Sequence, residues 1–219
     1  MQNIYGFWHI GRVGDWKLII EQQLPRLKKS GLYEASTQII VGYIGGAGHL
    51  GELPDEIKND PKFYIFTTRD REDFEFPTLE RARFMALYKE TPFYMYYIHT
   101  KGASSGAEVN DNAARTWRLY MEYFNIDRWQ DCVDKLEQGE ELAGCEWHGN
   151  HFSGNFWWAS SEYIKQLPPM YSYWKGTQHC RIDAEVYIGK ACSQKIYNFY
   201  SCPHNLYLYK IPESDYASI

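Results

Sequence analysis

The run FYMYYI, residues 93–98, constrains the fold more than any other stretch. A half-exposed strand alternates polar and apolar side chains, whereas this run offers solvent no polar side, so it predicts a strand covered on both faces. Similar short runs recur at 3–9 (NIYGFWH), 37–44 (TQIIVGYI), 62–68 (KFYIFTT), 142–147 (LAGCEW) and 195–200 (KIYNFY). Between them lie stretches with helical spacing. Asp15 stands as a cap ahead of Trp16, Ile19, Ile20, Leu24 and Leu27, with Gly31 as a stop and Pro25 as an expected kink. Pro77 opens a helix that runs to Glu90, at a first-turn position where its missing N–H is harmless. Further helices are expected at 112–124, 128–136, 160–166 and 183–191. Strands interleaved with helices predict an α/β fold, a Rossmann-like sheet that is mixed but mainly parallel and flanked by helices. No repeat and no linker rich in Gly, Pro or Ser divides the chain, so one domain is expected over 1–219.

The net charge of −5 argues against a nucleic-acid partner, and any phosphate ligand would need cations gathered locally. No apolar run approaches the roughly 18 residues that span a bilayer, and residues 1–16 lack the basic start and apolar core of a secretion signal. The expected location is cytoplasmic, or the host cytoplasm for a viral protein. Cys132, Cys145, Cys180, Cys192 and Cys202 include no C-x-x-C pair, so neither a disulfide framework nor a zinc knuckle is indicated. Aromatic residues reach 17%, which suits sheet cores and equally suits carbohydrate faces. The segment HFSGNFWW, 151–158, concentrates them beside a Ser-Gly-Asn turn. Adjacent strand residues face opposite ways, so one of Trp157 and Trp158 is expected in the core and the other lining a site.

GAGHLG, 46–51, matches the dinucleotide-binding glycine pattern, and Asp70 falls where that pattern wants an acid. The following ELPDEIKNDP, bracketed by Pro54 and Pro61, is too short for the crossover helix whose N-terminus would meet a pyrophosphate. A flexible loop is the better reading. In an open α/β sheet, ligands bind beyond the carboxyl ends of the strands. Three such loops carry cations or donors: His9 and Arg12 in HIGRVGD, Arg69 and Arg71 in TTRDRED, His99 and Lys101 in HTKGASS. An acidic chain that gathers these groups at strand ends is suited to an anion such as a diphosphate.

The stretch FPTLERARFMALYKETPFYMYYIHTKGAS resembles the core of nucleotide-sugar glycosyltransferases of the GT-A type. The set HTKG, HFSGNFWWA and AEVYIG, in that order, is similar to small glycosyltransferase domains of bacterial capsule loci and large DNA viruses. The resemblance spans 76–189. It implies a nucleotide-binding half over 1–100 and an acceptor and catalytic half over 101–219, with a UDP-sugar the favoured donor and a glycan or saccharide the acceptor. His9, Arg12, Arg69, Asp70, His99, Lys101, Ser153, Gly154 and Asn155 would hold the donor, and Trp157 or Trp158 the acceptor. Where the family places Asp-x-Asp to bind Mn²⁺ or Mg²⁺, this chain has His99-Thr100-Lys101. A protonated ammonium is no metal ligand but neutralises phosphate directly, so Lys101, with His99, is expected to stand in for the cation. Asp70, Glu72 and Asp73 are the alternative ligands if a metal is used.

Glycosyl transfer with inversion needs a group that takes the acceptor proton. Asp183, Glu185 and His151 are the candidates. Each has a plain structural alternative: Asp183 caps its helix, Glu185 pairs with Arg181, His151 bonds its own loop. A carbohydrate-binding module without catalysis, and less favoured a dinucleotide-dependent oxidoreductase, are the competing functions.

Overall fold

FYMYYI does occupy a strand sealed on both sides. In the computed structural model, which describes residues 2–105, 112–170 and 181–218, all of β4 (Phe93–His99) is buried. Tyr94, Tyr96 and Ile98 enter one core and Phe93, Met95 and Tyr97 the other. The remaining strands are β1 (Asn3–Gly11), β2 (Ser36–Ile44), β3 (Phe63–Thr67), β5 (Leu142–Gly144), β6 (Trp157–Ser160) and β7 (Ile196–Asn198). They form one sheet in the order β3-β2-β1-β4-β6-β5-β7. Pairing is parallel except where β6 runs antiparallel between β4 and β5. One sheet therefore crosses both halves of the chain and gives a single α/β domain.

The first core packs α1 (Trp16–Lys29), α5 (Ala113–Glu122) and α6 (Trp129–Glu137) on one face. The second packs α4 (Phe76–Tyr88), α7 (Ser161–Gln166) and α8 (Arg181–Glu185) on the other. Short helical pieces at Leu32–Ala35 and Asp55–Lys58 serve as connectors. The β2–β3 link holds only the latter and a 3₁₀ turn, so the glycine pattern at 46–51 leads into no crossover helix. Ser160 caps α7 by accepting from the Tyr163 amide at 3.2 Å. No helix among the described residues is long and apolar enough to cross a membrane.

Several local expectations change. α1 runs through Pro25 without interruption, and Asp15 makes no side-chain cap bond. β5 stops at Gly144 because Glu146, at φ 64, leaves the extended region. The helix expected at 183–191 ends at Glu185, and a 3₁₀ turn, Tyr187–Gly189, follows, with Gly189 packed so tightly on the Asn150 carbonyl that a Cβ would collide with it. α5 continues through a π turn, Tyr123–Asp127, toward α6. Cys180 lies outside the described residues.

Both tryptophans of HFSGNFWW are core residues, at 1% and 0% exposure, so neither lines a site. The alternation is real, but helices cover both sides of the sheet. Trp158 faces α5 and α6 and donates Nε1–H to the Asn125 carbonyl in the π turn at 2.9 Å; Trp157 faces α4. Trp158→Ala is expected to cost about 3–5 kcal/mol of stability by urea unfolding, from the cavity and the orphaned carbonyl.

Candidate functional site

β2 lies on one side of β1 and β4 on the other, so strand order reverses between β1 and β4. The crevice beyond the carboxyl ends of such a pair is the expected ligand position in an open α/β sheet. A half-open cleft of about 740 Å³ sits there. His9 and His99 are the last paired residues of β1 and β4, which brings the two imidazoles side by side with ring centroids 6.4 Å apart. Arg12, Lys101, Arg71, Glu75 and Arg181 complete the polar wall.

The histidines are neutral at physiological pH. Burial pushes His9 from 6.5 to about 4 against the pull of Glu75, and its Nδ1 pairs with Thr78 Oγ1 at 3.1 Å. His99 is pushed to about 3, by burial first and by Lys101 second. Its Nε2 lies 2.7 Å from the Gly154 carbonyl. A carbonyl only accepts, so Nε2 carries the proton and Nδ1 presents a lone pair. His99 therefore does not substitute for a cation, contrary to the expectation from HTKG.

Lys101 does. Its ammonium lies 3.7 Å from the centroid of the Trp117 ring, and no carboxylate among the described residues makes an ion pair with it. Burial lowers it from 10.5 to about 8; Glu185 raises it, Arg181 lowers it and Glu75 raises it. It is mainly protonated at neutral pH. Arg12 lines the cleft while pairing with Glu52 at 2.5 Å, and Arg71 and Arg181 are exposed at its mouth. Arg69 and Asp70, expected to hold donor, are exposed and off the wall. Asp70 instead caps the 3₁₀ turn Arg71–Asp73 by accepting from the Glu72 amide at 2.8 Å, and this turn carries Arg71 to the cleft in place of Arg69.

The Ser-Gly-Asn turn is a bracket rather than a ligand surface. Ser153 uses its amide on the Glu146 carbonyl at 2.9 Å. Gly154, at φ 90, would drive a Cβ into Met121 Sδ; its carbonyl accepts from His99 and its amide donates to Glu185 Oε1 at 2.7 Å. Asn155 is buried at φ 60, and its amide is consumed internally. Nδ2 donates to Glu75 Oε2 at 2.5 Å, and Oδ1 accepts from Trp157 Nε1 at 2.8 Å. It cannot reach a sugar hydroxyl as expected.

None of the three base candidates lines the cleft. Glu185 is bound to Gly154, Asp183 is half-buried on α8, and His151 sits beside Asn150 Oδ1 at 2.7 Å and stacks on His148. Burial lowers the His151 pKa, Glu185 raises it and His148 lowers it.

Glu75, which the sequence reading passed over, is the carboxylate in the wall. It is 7% exposed, and Oε2 accepts from Tyr97 Oη at 2.8 Å as well as from Asn155. Tyr97 is held well above its usual pKa by burial and then by Glu75, so it stays a donor. Tyr97 stacks on Trp157 at 5.2 Å and 13°, which closes a ring of contacts from Glu75 through Tyr97, Trp157 and Asn155 back to Glu75. In sequence, an acid just ahead of a Pro-started helix reads as ordinary dipole compensation, so only the three-dimensional ring reveals it.

At His99-Thr100-Lys101 the third position is an ammonium, which while protonated offers no lone pair to a divalent ion.

A family model described as a domain of unknown function, DUF8361, matches residues 11–202. The chain belongs to that family. The match includes every cleft residue named above except His9. No curated protein matches the chain.

The two buried histidines set a pH dependence. The unfolded chain protonates them near 6.5, the native chain only near 4 and about 3. Between those limits the unfolded state binds more protons, so stability falls as pH drops below about 6.5. NMR is expected to show His9 and His99 ring protons that do not titrate between pH 8 and 5, and His9→Asn should make the acid loss of stability shallower.

Proposed function

We propose that the protein is a GT-A-type glycosyltransferase that moves a sugar from a nucleoside-diphosphate-sugar, a UDP-sugar in the first instance, to a hydroxyl of a glycan or saccharide acceptor. The observation that carries this reading is the charge of the switch-point cleft. Lys101 and Arg12 in its wall, with Arg71 and Arg181 at its mouth, gather positive charge in a chain whose net charge is −5. Glu52 offsets Arg12 and Glu75 offsets part of the rest, and the guanidinium and ammonium groups of Lys101, Arg71 and Arg181 match phosphate oxygens. The cleft is half-open, so a ligand seated in it would keep part of its surface in solvent. The neutral imidazoles of His9 and His99 add hydrogen-bonding capacity without charge.

Two observations weigh against the competing readings. A lectin would use aromatic platforms, yet Trp157 and Trp158 are both buried. A dinucleotide enzyme would set a pyrophosphate on the helix after its glycine loop, and that link holds only the four residues Asp55–Lys58 as α-helix. With Lys101 at the Asp-x-Asp place, phosphate charge is neutralised by the side chain itself.

UDP or GDP at a hundredfold excess over its Kd should stabilise the protein by about 2.7 kcal/mol, a rise of about 5–10 °C in Tm for a chain of this size. Lys101→Ala should weaken the nucleotide about 10- to 100-fold, the worth of one charge-assisted contact. Differential scanning fluorimetry without added metal reads both, and no shift with any nucleoside diphosphate would refute the proposal.

A further inference from the structure

Resting on the glycosyltransferase reading, we propose that Glu75, not Asp183, Glu185 or His151, is the catalytic base that takes the acceptor proton. A carboxylate in an anion-binding cleft repels the diphosphate it shares the space with, so one that lines the wall is better suited to a neutral partner such as a hydroxyl. Its geometry fits one. Oε2 is engaged by Tyr97 and Asn155, whereas Oε1 accepts no hydrogen bond among the described residues and stands 4.0 Å from the unprotonated His99 Nδ1. One oxygen is thus clamped and the other keeps its lone pairs for a ligand.

The backbone immediately before this carboxylate is strained, and the residue that clamps it is left-handed. Phe74, immediately before Glu75, adopts φ 47 and ψ −136, and Asn155, which clamps it, adopts φ 60. For a bulky aromatic residue such a φ is an outlier, and strain of this kind collects at functional sites. Glu185 likewise has one oxygen bound, Oε1 by the Gly154 amide, but it does not line the cleft, whereas Glu75 does.

In the transfer step the acceptor hydroxyl gives its proton to Glu75 Oε1 while its oxygen forms a bond to the anomeric carbon. The bond from that carbon to the β-phosphate oxygen breaks, and its electron pair leaves with the diphosphate toward Lys101 and Arg181. Charge balances: Glu75 becomes neutral as the diphosphate gains one negative charge. A single displacement of this kind inverts the anomeric centre.

The test pairs binding with turnover. Glu75→Gln keeps an oxygen for Tyr97 and Asn155, so the ring survives. UDP and GDP are titrated calorimetrically into wild type and variant, and nucleoside diphosphate release is followed from UDP-glucose, UDP-galactose and GDP-mannose with free hexoses and pentoses as acceptors. The expected result is nucleotide affinity unchanged or up to about tenfold tighter, with release at least about 100-fold slower. Glu75→Asp, which retracts the carboxylate, should also slow release while binding as wild type. Turnover of Glu75→Gln within threefold of wild type overturns the assignment, as does a tenfold loss of nucleotide affinity with the fold intact, or a wild type that binds nucleotide but turns over none of the donors. Failure of UDP and GDP to bind at all removes the glycosyltransferase reading itself.

Discussion

The site stands on His99, which is fastened at both ends. Its backbone carbonyl accepts from Gln23 Nε2 at 3.0 Å, and its ring donates to the Gly154 carbonyl at 2.7 Å. Gln23 is fully buried on α1, where it also accepts from Trp8 Nε1 at 2.9 Å and donates to Glu122 at 2.8 Å. Glu122 is held in turn by Arg118 at 2.6 Å and Arg26 at 2.9 Å. A polar line therefore runs from α5 through α1 and the sheet to the Gly154 turn and on to Glu185. Ion pairs buried this deeply add little net stability, because desolvation cancels much of the attraction. What the line does contribute is position: moving His99 would leave buried partners unpaired on both faces of the sheet.

The cleft's electrostatics follow from what each group can do at that depth. Imidazoles lose their protons to burial, since neutral His meets the cost of desolvation by discharging. Lys101 stays charged at neutral pH because the Trp117 face and the nearby carboxylates offset part of that cost, although Arg181 works against them. A polyanion entering the cleft would raise the proton affinity of Lys101 again, so ligand and proton favour each other near pH 8.

The run at 93–98 made the doubly covered sheet legible, and the loops after β1 and β4 made the cleft legible, because both depend on pattern alone. Other features depend on geometry that pattern does not carry. One of Trp157 and Trp158 looked like a platform because the helices that cover β6, α5 and α6 on one face and α4 on the other, are contributed by separate parts of the chain. Asn155 looked like a ligand contact because a left-handed φ turns its amide inward, and nothing in the letters S-G-N fixes that choice. Arg69 and Arg71 differ only by a two-residue shift along a turn, decided by the Asp70 cap. Glu75 was hidden by its place before Pro77, where an acid has an ordinary helical explanation.

The tryptophan pair gains its meaning from these same contacts. Each ring fills one of the two cores, and each spends its single N–H on a backbone or side chain that would otherwise be misplaced. Trp158 fixes the π turn beside α6; Trp157 fixes Asn155. Left-handed backbone at a non-glycine residue and the eversion at Phe74 cost of order 1–3 kcal/mol each, and they persist only where surrounding contacts over-determine them. The ring of Glu75, Tyr97, Trp157 and Asn155 supplies that over-determination for Asn155. A smaller residue at 157 would free Asn155 to relax, and one clamp on Glu75 would go with it. Trp157 is thus placed for a carboxylate that lines the cleft, and its indole acts on Glu75 through Asn155 and Tyr97 without lining the cleft itself.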